Sequence, residues 1–223
     1  MKIRAIITGA TGMVGEGVMH ECLQSDDVEE VLIINRRPSG YNHPKLKEII
    51  HENFFHLSAI EQQLKGYNAC YFCLGVSSVG MSKDDYYKFT YELTLNFAQT
   101  VLKYNKEMTF CYVSGSGTDS SEKSNLNWAR VKGKTENEIL RMGFKQAYMF
   151  RPGFILPTPG LKNTLGGYKY LGWLFPVLKV IAPGTACTLK EIGDAMINVT
   201  KKNFGKKILE VKNIKEAARM FAE

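Results

Sequence analysis

The run Ile6-Ile7-Thr8-Gly9-Ala10-Thr11-Gly12-Met13-Val14-Gly15 is an apolar strand that passes through a glycine-rich turn into a helix. Few local patterns leave a chain less choice of architecture. Small residues let the backbone approach a ligand closely, the first amides of a helix have no intrahelical partner, and the helix dipole places partial positive charge at that end. The combination fits a pyrophosphate. Val14, Val18 and Cys22 recur every fourth residue, so one helical face is apolar and can lie on a sheet. Gly15 allows the helix to pack tightly on the strand. A second apolar run, Glu30-Val31-Leu32-Ile33-Ile34-Asn35, follows at the distance that closes a βαβ unit. The spacing is GxxGxxG, one residue longer in its first gap than the generic dinucleotide fingerprint.

The second strand speaks to the kind of dinucleotide. An NAD-preferring site offers a carboxylate to the ribose 2′-hydroxyl about 20 residues beyond the glycines. Here Asn35 is followed by Arg36 and Arg37. A 2′-phosphate would meet two guanidiniums, and charge-assisted hydrogen bonds of that kind contribute roughly 1.5–3 kcal/mol each. The expected cofactor is therefore NADP(H) rather than NAD(H), with solvated arginines ahead of Pro38 as the alternative.

Further apolar runs near 3–7, 48–51, 69–74, 109–113 and 146–150 read as strands, and helices are expected over Lys83–Tyr104, Asn127–Met142 and Leu189–Val199, with a last short strand over Lys207–Val211. Alternation of this kind means a parallel sheet with helices on both faces. At 223 residues, 44% hydrophobic and 23% charged, the chain can bury a full core as one domain, 1–223. The rhythm changes after Arg151-Pro152-Gly153, and 153–188 is the expected substrate or lid segment. Within it, 171–181 is so apolar that core packing, pocket lining, a dimer contact and a membrane-surface patch are all compatible with its composition.

The first strand is expected to begin at Lys2, leaving no room for a signal peptide, and no apolar run reaches the roughly 18 residues that span a bilayer. Five cysteines, an odd number, fit a reducing compartment. The expected address is cytoplasmic. Cys70 and Cys73 spell CxxC, but residues three apart on a strand point to opposite faces. His20, His43, His51 and His56 have no metal spacing. The net charge of +7 comes from dispersed lysines and arginines, without a nucleic-acid motif.

The glycine turn, the strand end Tyr112-Val113-Ser114-Gly115-Ser116-Gly117, the lysine in Trp128-Ala129-Arg130-Val131-Lys132 and Arg151-Pro152-Gly153 occur in one order. In this the chain resembles the short-chain dehydrogenase/reductase superfamily, and more narrowly its atypical members related to the Tat-interacting oxidoreductase-like and epimerase-type proteins. The resemblance covers nearly the whole chain. It implies a Rossmann-type doubly wound parallel sheet, a nicotinamide cofactor and a serine–tyrosine–lysine catalytic group. Ser114 matches the serine and Lys132 the lysine, whereas Trp128 stands in the tyrosine's place. An indole N–H donates but has no usable acid/base pKa, so the superfamily's proton shuttle is missing. Thr90 occupies about the place of the superfamily's helper asparagine, and Asp119 is the nearest replacement proton donor.

The candidate catalytic residues are thus Ser114, Lys132 and Trp128. Candidate cofactor-binding residues are Gly9, Thr11, Gly12, Met13, Val14, Gly15, Arg36, Arg37, Leu74, Gly75, Val76, Ser114, Lys132, Arg151, Pro152 and Gly153. The expected activity is an NADP(H)-dependent oxidoreduction whose acceptor, a flavin- or quinone-like ring, takes hydride without a tyrosine acid. Two alternatives stand beside it: a silent NADP(H)-binding regulatory module, and a nucleotide-sugar epimerase or dehydratase. The missing tyrosine opposes the last.

Overall fold

A computed structural model describes residues 2–164 and 184–221. The apolar stretch 168–181 and the central part of the expected lid lie outside the described residues.

Strands β1 (Ile3–Thr8), β2 (Val28–Asn35), β3 (Leu46–Ile50), β4 (Ala69–Phe72), β5 (Thr109–Val113), β6 (Gln146–Arg151) and β9 (Ile208–Glu210) form one sheet in the order β3-β2-β1-β4-β5-β6-β9. Every pairing in it is parallel. The order reverses between β1 and β4, and a doubly wound sheet opens a crevice for ligand at such a reversal, outside the carboxyl ends of the strands. Two short strands, β7 (Phe154–Leu156) and β8 (Ala186–Thr188), pair separately.

The period-2 pattern of the strands sorts their side chains between two cores. Ile3, Ala5, Ile7, Val31 and Ile33 face helices α1 (Met13–Gln24), α5 (Leu189–Lys201) and α6 (Val211–Ala218). Ile6, Leu32, Ile34, Phe72, Phe110 and Met149 face α3 (Leu93–Tyr104) and α4 (Asn127–Arg141), where Phe97, Val101 and Ile139 are fully buried. Cys70 joins the second core, and Cys73, just past the end of β4, packs against the first. Close approach of α1 and α5 depends on glycine: a β-carbon on Gly193 would lie 2.6 Å from Glu21 Cγ, and one on Gly17 2.9 Å from Leu189.

Besides the unexpected β7 and β8, three features differ from the sequence reading. The expected helix over Lys83–Tyr104 is broken into α2 (Lys83–Tyr87), a π-helical turn over Lys88–Glu92, and α3. Thr90 lies in that turn, buried, and its carbonyl accepts from Thr94 Oγ1 at 2.6 Å. The strand expected over 69–74 ends at Phe72, and α6 follows β9 where no helix was expected.

Candidate functional site

The glycine turn is shaped for close packing. Gly9 has φ +73°, and a β-carbon there would lie 2.8 Å from the Cys73 carbonyl group. A β-carbon on Gly15 would come within 2.2 Å of Gly9 O. The amide of Gly12 closes the turn onto Gly9 O at 2.9 Å. Gly12 caps α1 without any side-chain hydrogen bond, so the first amides of the helix, on Met13 and Val14, are left for an external acceptor. Thr11 and Gly12 are exposed at the mouth of the turn.

Beyond the turn lies a cavity of about 740 Å³ lined by Thr11, Arg36, Arg37, Pro38, Ser39, Glu52, Lys162 and Asn163. Its position follows from β2, which ends at Asn35 and delivers both arginines, exposed, to the rim. The bend after them is fixed by Glu48 Oε1, which accepts from Asn35 Nδ2 at 2.9 Å and from the Ser39 amide at 2.8 Å. Asn35 Oδ1 is the one buried side-chain oxygen without a partner among the described residues. A neighbouring, more apolar cavity of about 250 Å³ shares Arg36 and Glu52 and is lined by Phe54, Phe55, Leu74, Gly75, Val76 and Phe89. Leu74, Gly75 and Val76 therefore stand on the same side of the glycine turn as the arginine pair. The Leu74 amide is tied to Thr8 Oγ1 at 3.3 Å.

The carboxyl ends of β5 and β6 form a second cluster. Lys132 Nζ donates to the Ser114 carbonyl, and burial pulls its ammonium below the usual lysine range. Trp128, one helical turn earlier on α4, is half-buried, and its ring edge would lie 3.1 Å from a β-carbon on Gly117. Lys132 and Trp128 thus face the loop that leaves β5, as their four-residue spacing predicts.

The Ser114 hydroxyl, by contrast, is committed inward. It donates to Glu136 Oε1 at 2.5 Å and lies 3.2 Å from the Phe150 carbonyl. Glu136 is wholly buried, and its oxygens also accept from Arg151 Nε at 3.0 Å and Nη2 at 2.5 Å. Arg151 Nη1 reaches Glu210 at 3.1 Å, and Nη2 also reaches Ser120 at 2.5 Å. Every guanidinium nitrogen of Arg151 is engaged within the protein. Here the Ser114 hydroxyl and the Arg151 guanidinium, expected at the catalytic centre and the cofactor, are both directed to a buried carboxylate that needs these donors, since leaving it unpaired would be costly. Gly153 is explained by packing, since a β-carbon there would lie 2.2 Å from Thr185 O. Pro152 is buried, and its carbonyl accepts the Ser116 amide at 2.8 Å.

Asp119 is also unsuited to proton donation. Hydrogen bonds from Ser121 Oγ, and from the Ser124, Ser121 and Lys123 amides, hold its carboxyl at about 2. It shapes the loop before α4. The sequence reading passed over two groups here: Ser116, whose exposed hydroxyl lies two residues beyond Ser114, and Glu136, signalled only by its place one helical turn past Lys132.

Comparison with known proteins gives this arrangement a lineage. A mitochondrial FMP52-1 protein of Scheffersomyces stipitis is 28% identical over 175 residues, 75% of this chain and 76% of that one. Rat HTATIP2 is 25% identical over 152 residues, covering 67% of this chain and 62% of that one. Among solved structures, a UDP-N-acetylglucosamine 4-epimerase from Methanobrevibacter ruminantium superposes with a TM-score of 0.66 at 16% identity, over 97% of this chain and 81% of its own. The enzyme WbmG of Bordetella bronchiseptica, solved with NAD, gives 0.67 at 10% identity, over 98% and 78%. At such identities the likeness establishes the fold alone, a Rossmann-type parallel sheet. The expected cytoplasmic address is overturned, because the fungal relatives, including those of Debaryomyces hansenii and Candida albicans, are named mitochondrial proteins. Among the described residues no helix is long and apolar enough to cross a membrane. The family model of the NAD-dependent epimerase/dehydratase family matches residues 5–125, more than half of the chain, and the chain belongs to that family.

Proposed function

We propose that the protein is an NADP(H)-dependent oxidoreductase whose acceptor takes hydride without a proton from a tyrosine. The observation that carries the cofactor preference is the cavity beside the glycine turn, with Arg36 and Arg37 on its rim and Asn35 where a 2′-hydroxyl would want a carboxylate. Two guanidiniums favour a 2′-phosphate over a hydroxyl. The unpartnered Asn35 Oδ1 supports a ribose at this strand end, since a ribose hydroxyl of either dinucleotide is a donor that fits it. The uncapped α1 amides suit the pyrophosphate, and the Leu74–Val76 cavity suits an adenine.

When bound, the dinucleotide supplies a hydride donor or acceptor. The chain's own residues then do the rest. Lys132 sets a desolvated cation at the carboxyl end of β5, Ser116 offers an exposed hydroxyl, and Trp128 lends a flat apolar ring with one N–H donor. Neither Trp128 nor the ionised Asp119 supplies a proton near neutral pH. An acceptor of the quinone or flavin class needs no such side chain, because its protons come from water. Sugar epimerisation, which needs a proton removed and returned, is disfavoured for the same reason.

A second reading, a dinucleotide-binding module without turnover, is favoured by the commitment of the Ser114 hydroxyl to Glu136. One experiment separates the two. Calorimetric titration with NADPH and NADH, on the wild type and on Arg36→Ala/Arg37→Ala, is followed by NADPH oxidation in the presence of quinones, flavins and carbonyls. An NADPH preference that collapses in the double variant, with turnover on a quinone or flavin, supports the oxidoreductase. The same binding with no turnover across the panel supports the module, and no binding of either nucleotide refutes both.

A further inference from the structure

Glu16 is an unusual residue to find wholly buried in the first turn of a helix that opens a phosphate-binding turn. A bare carboxylate there would repel the ligand for which the dipole is suited. Its oxygens are instead engaged by three donors: Tyr41 Oη, the Lys162 amide at 2.8 Å and the Asn163 amide at 2.7 Å. None of these is a cation, so Glu16 serves as a fixed acceptor that fastens the 162–163 backbone against α1 and the loop beyond β2.

Fastening that backbone delivers a side chain. Lys162 Nζ lies 4.2 Å from the centre of the Tyr41 ring and donates to Gly40 O at 3.1 Å. Both partners belong to the loop that carries Arg36 and Arg37, and Lys162 lines the same cavity as that pair. One hydrogen bond to Gly40 leaves the ammonium with two further protons to donate. Three cations then line the cavity against one carboxylate, Glu52. A further carboxylate, Glu48 on the neighbouring strand, is exposed, and its Oε1 accepts from Asn35 and Ser39.

We propose that Lys162 is the third cation of a 2′-phosphate subsite and a determinant of NADP(H) over NAD(H). The inference rests on the dinucleotide reading above and extends it to a residue 122 positions from Gly40. The chemistry is matched. A phosphate monoester carries about −1.5 to −2 charge at neutral pH. Two planar guanidiniums grip it directionally, and a compact ammonium on a separate element adds a point charge. The Tyr41 ring beneath the lysine restricts its side chain before the ligand arrives.

The test is calorimetric titration of the full chain with adenosine 2′,5′-bisphosphate, ADP, NADPH and NADH, comparing wild type, Lys162→Met, Lys162→Arg and Arg36→Ala/Arg37→Ala. Lys162 is exposed, so its replacement leaves the core intact. Lys162→Met is expected to weaken the bisphosphate and NADPH about 10- to 100-fold, the range of one lost charge-assisted hydrogen bond. ADP and NADH are expected to change less than about 2-fold, and Lys162→Arg to keep most of the preference. If Lys162→Met leaves the NADPH-to-NADH ratio intact while the arginine double variant collapses it, the role of Lys162 is refuted and the dinucleotide reading stands. If wild type shows no preference for the 2′-phosphorylated ligands, both fall.

Discussion

Replacing Arg151 with methionine separates a structural role from a ligand-binding one. Arg151 is about one-tenth exposed and Glu136 not at all, with contacts of 2.5 and 3.0 Å between them. The variant leaves Glu136 buried with the Ser114 hydroxyl as its remaining side-chain donor. Removing one member of a buried pair costs about 3–5 kcal/mol, mainly because the surviving charge is stranded. For a domain of this size each kcal/mol moves the unfolding midpoint by about 2–4 °C, so Arg151→Met is expected to melt roughly 6–20 °C lower. Glu136→Gln/Arg151→Met should recover a large part of that loss, since it removes the stranded charge. The assay is thermal unfolding followed by circular dichroism, with NADPH titration of the folded variant in the cold. If Arg151 served the cofactor instead, the midpoint would stay within about 2 °C of wild type while NADPH binding disappeared. That outcome would refute the assignment of Arg151 to the core.

Gly15→Ala places a β-carbon 2.2 Å from Gly9 O, so the turn must open; NADPH affinity is expected to fall by at least about 100-fold, a loss of roughly 2.7 kcal/mol, and wild-type affinity would refute the assignment. Trp128→Tyr restores a phenol one helical turn before Lys132, and carbonyl reduction with NADPH is expected to appear or rise. No gain across aliphatic and aromatic carbonyls would mean that more than the proton donor is missing. The Asp119 carboxyl sits at about 2 in the folded chain against an ordinary 3.8, so its contribution is fully present above about pH 4 and lost as pH falls through 2. The amide proton shifts of Ser121, Lys123 and Ser124 should therefore titrate with a midpoint near 2, and a midpoint at 3.8 or above would reject the network.

The glycine turn and the placement of the arginine pair beside it were legible because their determinants are local. A glycine turn, a helix start and a strand end fall within 37 residues, and their spacing alone places Gly9, Gly15, Arg36 and Arg37. The sheet was legible for a related reason: in β1 and β2 the alternating side chains go to separate cores, both apolar, so the strands read as continuous runs. The break in the helix over Lys83–Tyr104 was not, because a π turn adds one residue to a repeat whose apolar positions barely move. Glu16 and Lys162 were invisible to any local reading, since they meet across 146 positions of chain.

At the other end of the crevice, the orientation of Ser114 was not legible in the sequence. A serine at the end of β5, ahead of a helix with a lysine, has the position of a catalytic hydroxyl, but position does not fix where the hydroxyl points. Glu136 decides that. It lies one helical turn past Lys132, and its buried charge draws in both Ser114 and Arg151, two of the residues that motif spacing assigned to the ligand. The same carboxylate also favours the charged form of Lys132, which burial opposes. One buried acid thus fixes the strand ends and helps to keep a cation at the crevice, while withdrawing the hydroxyl that a proton relay would use. With a cation kept at the crevice and the Ser114 hydroxyl turned inward, the proposed hydride transfer is the reading that asks least of Ser114, because an acceptor protonated by water needs no relay through it.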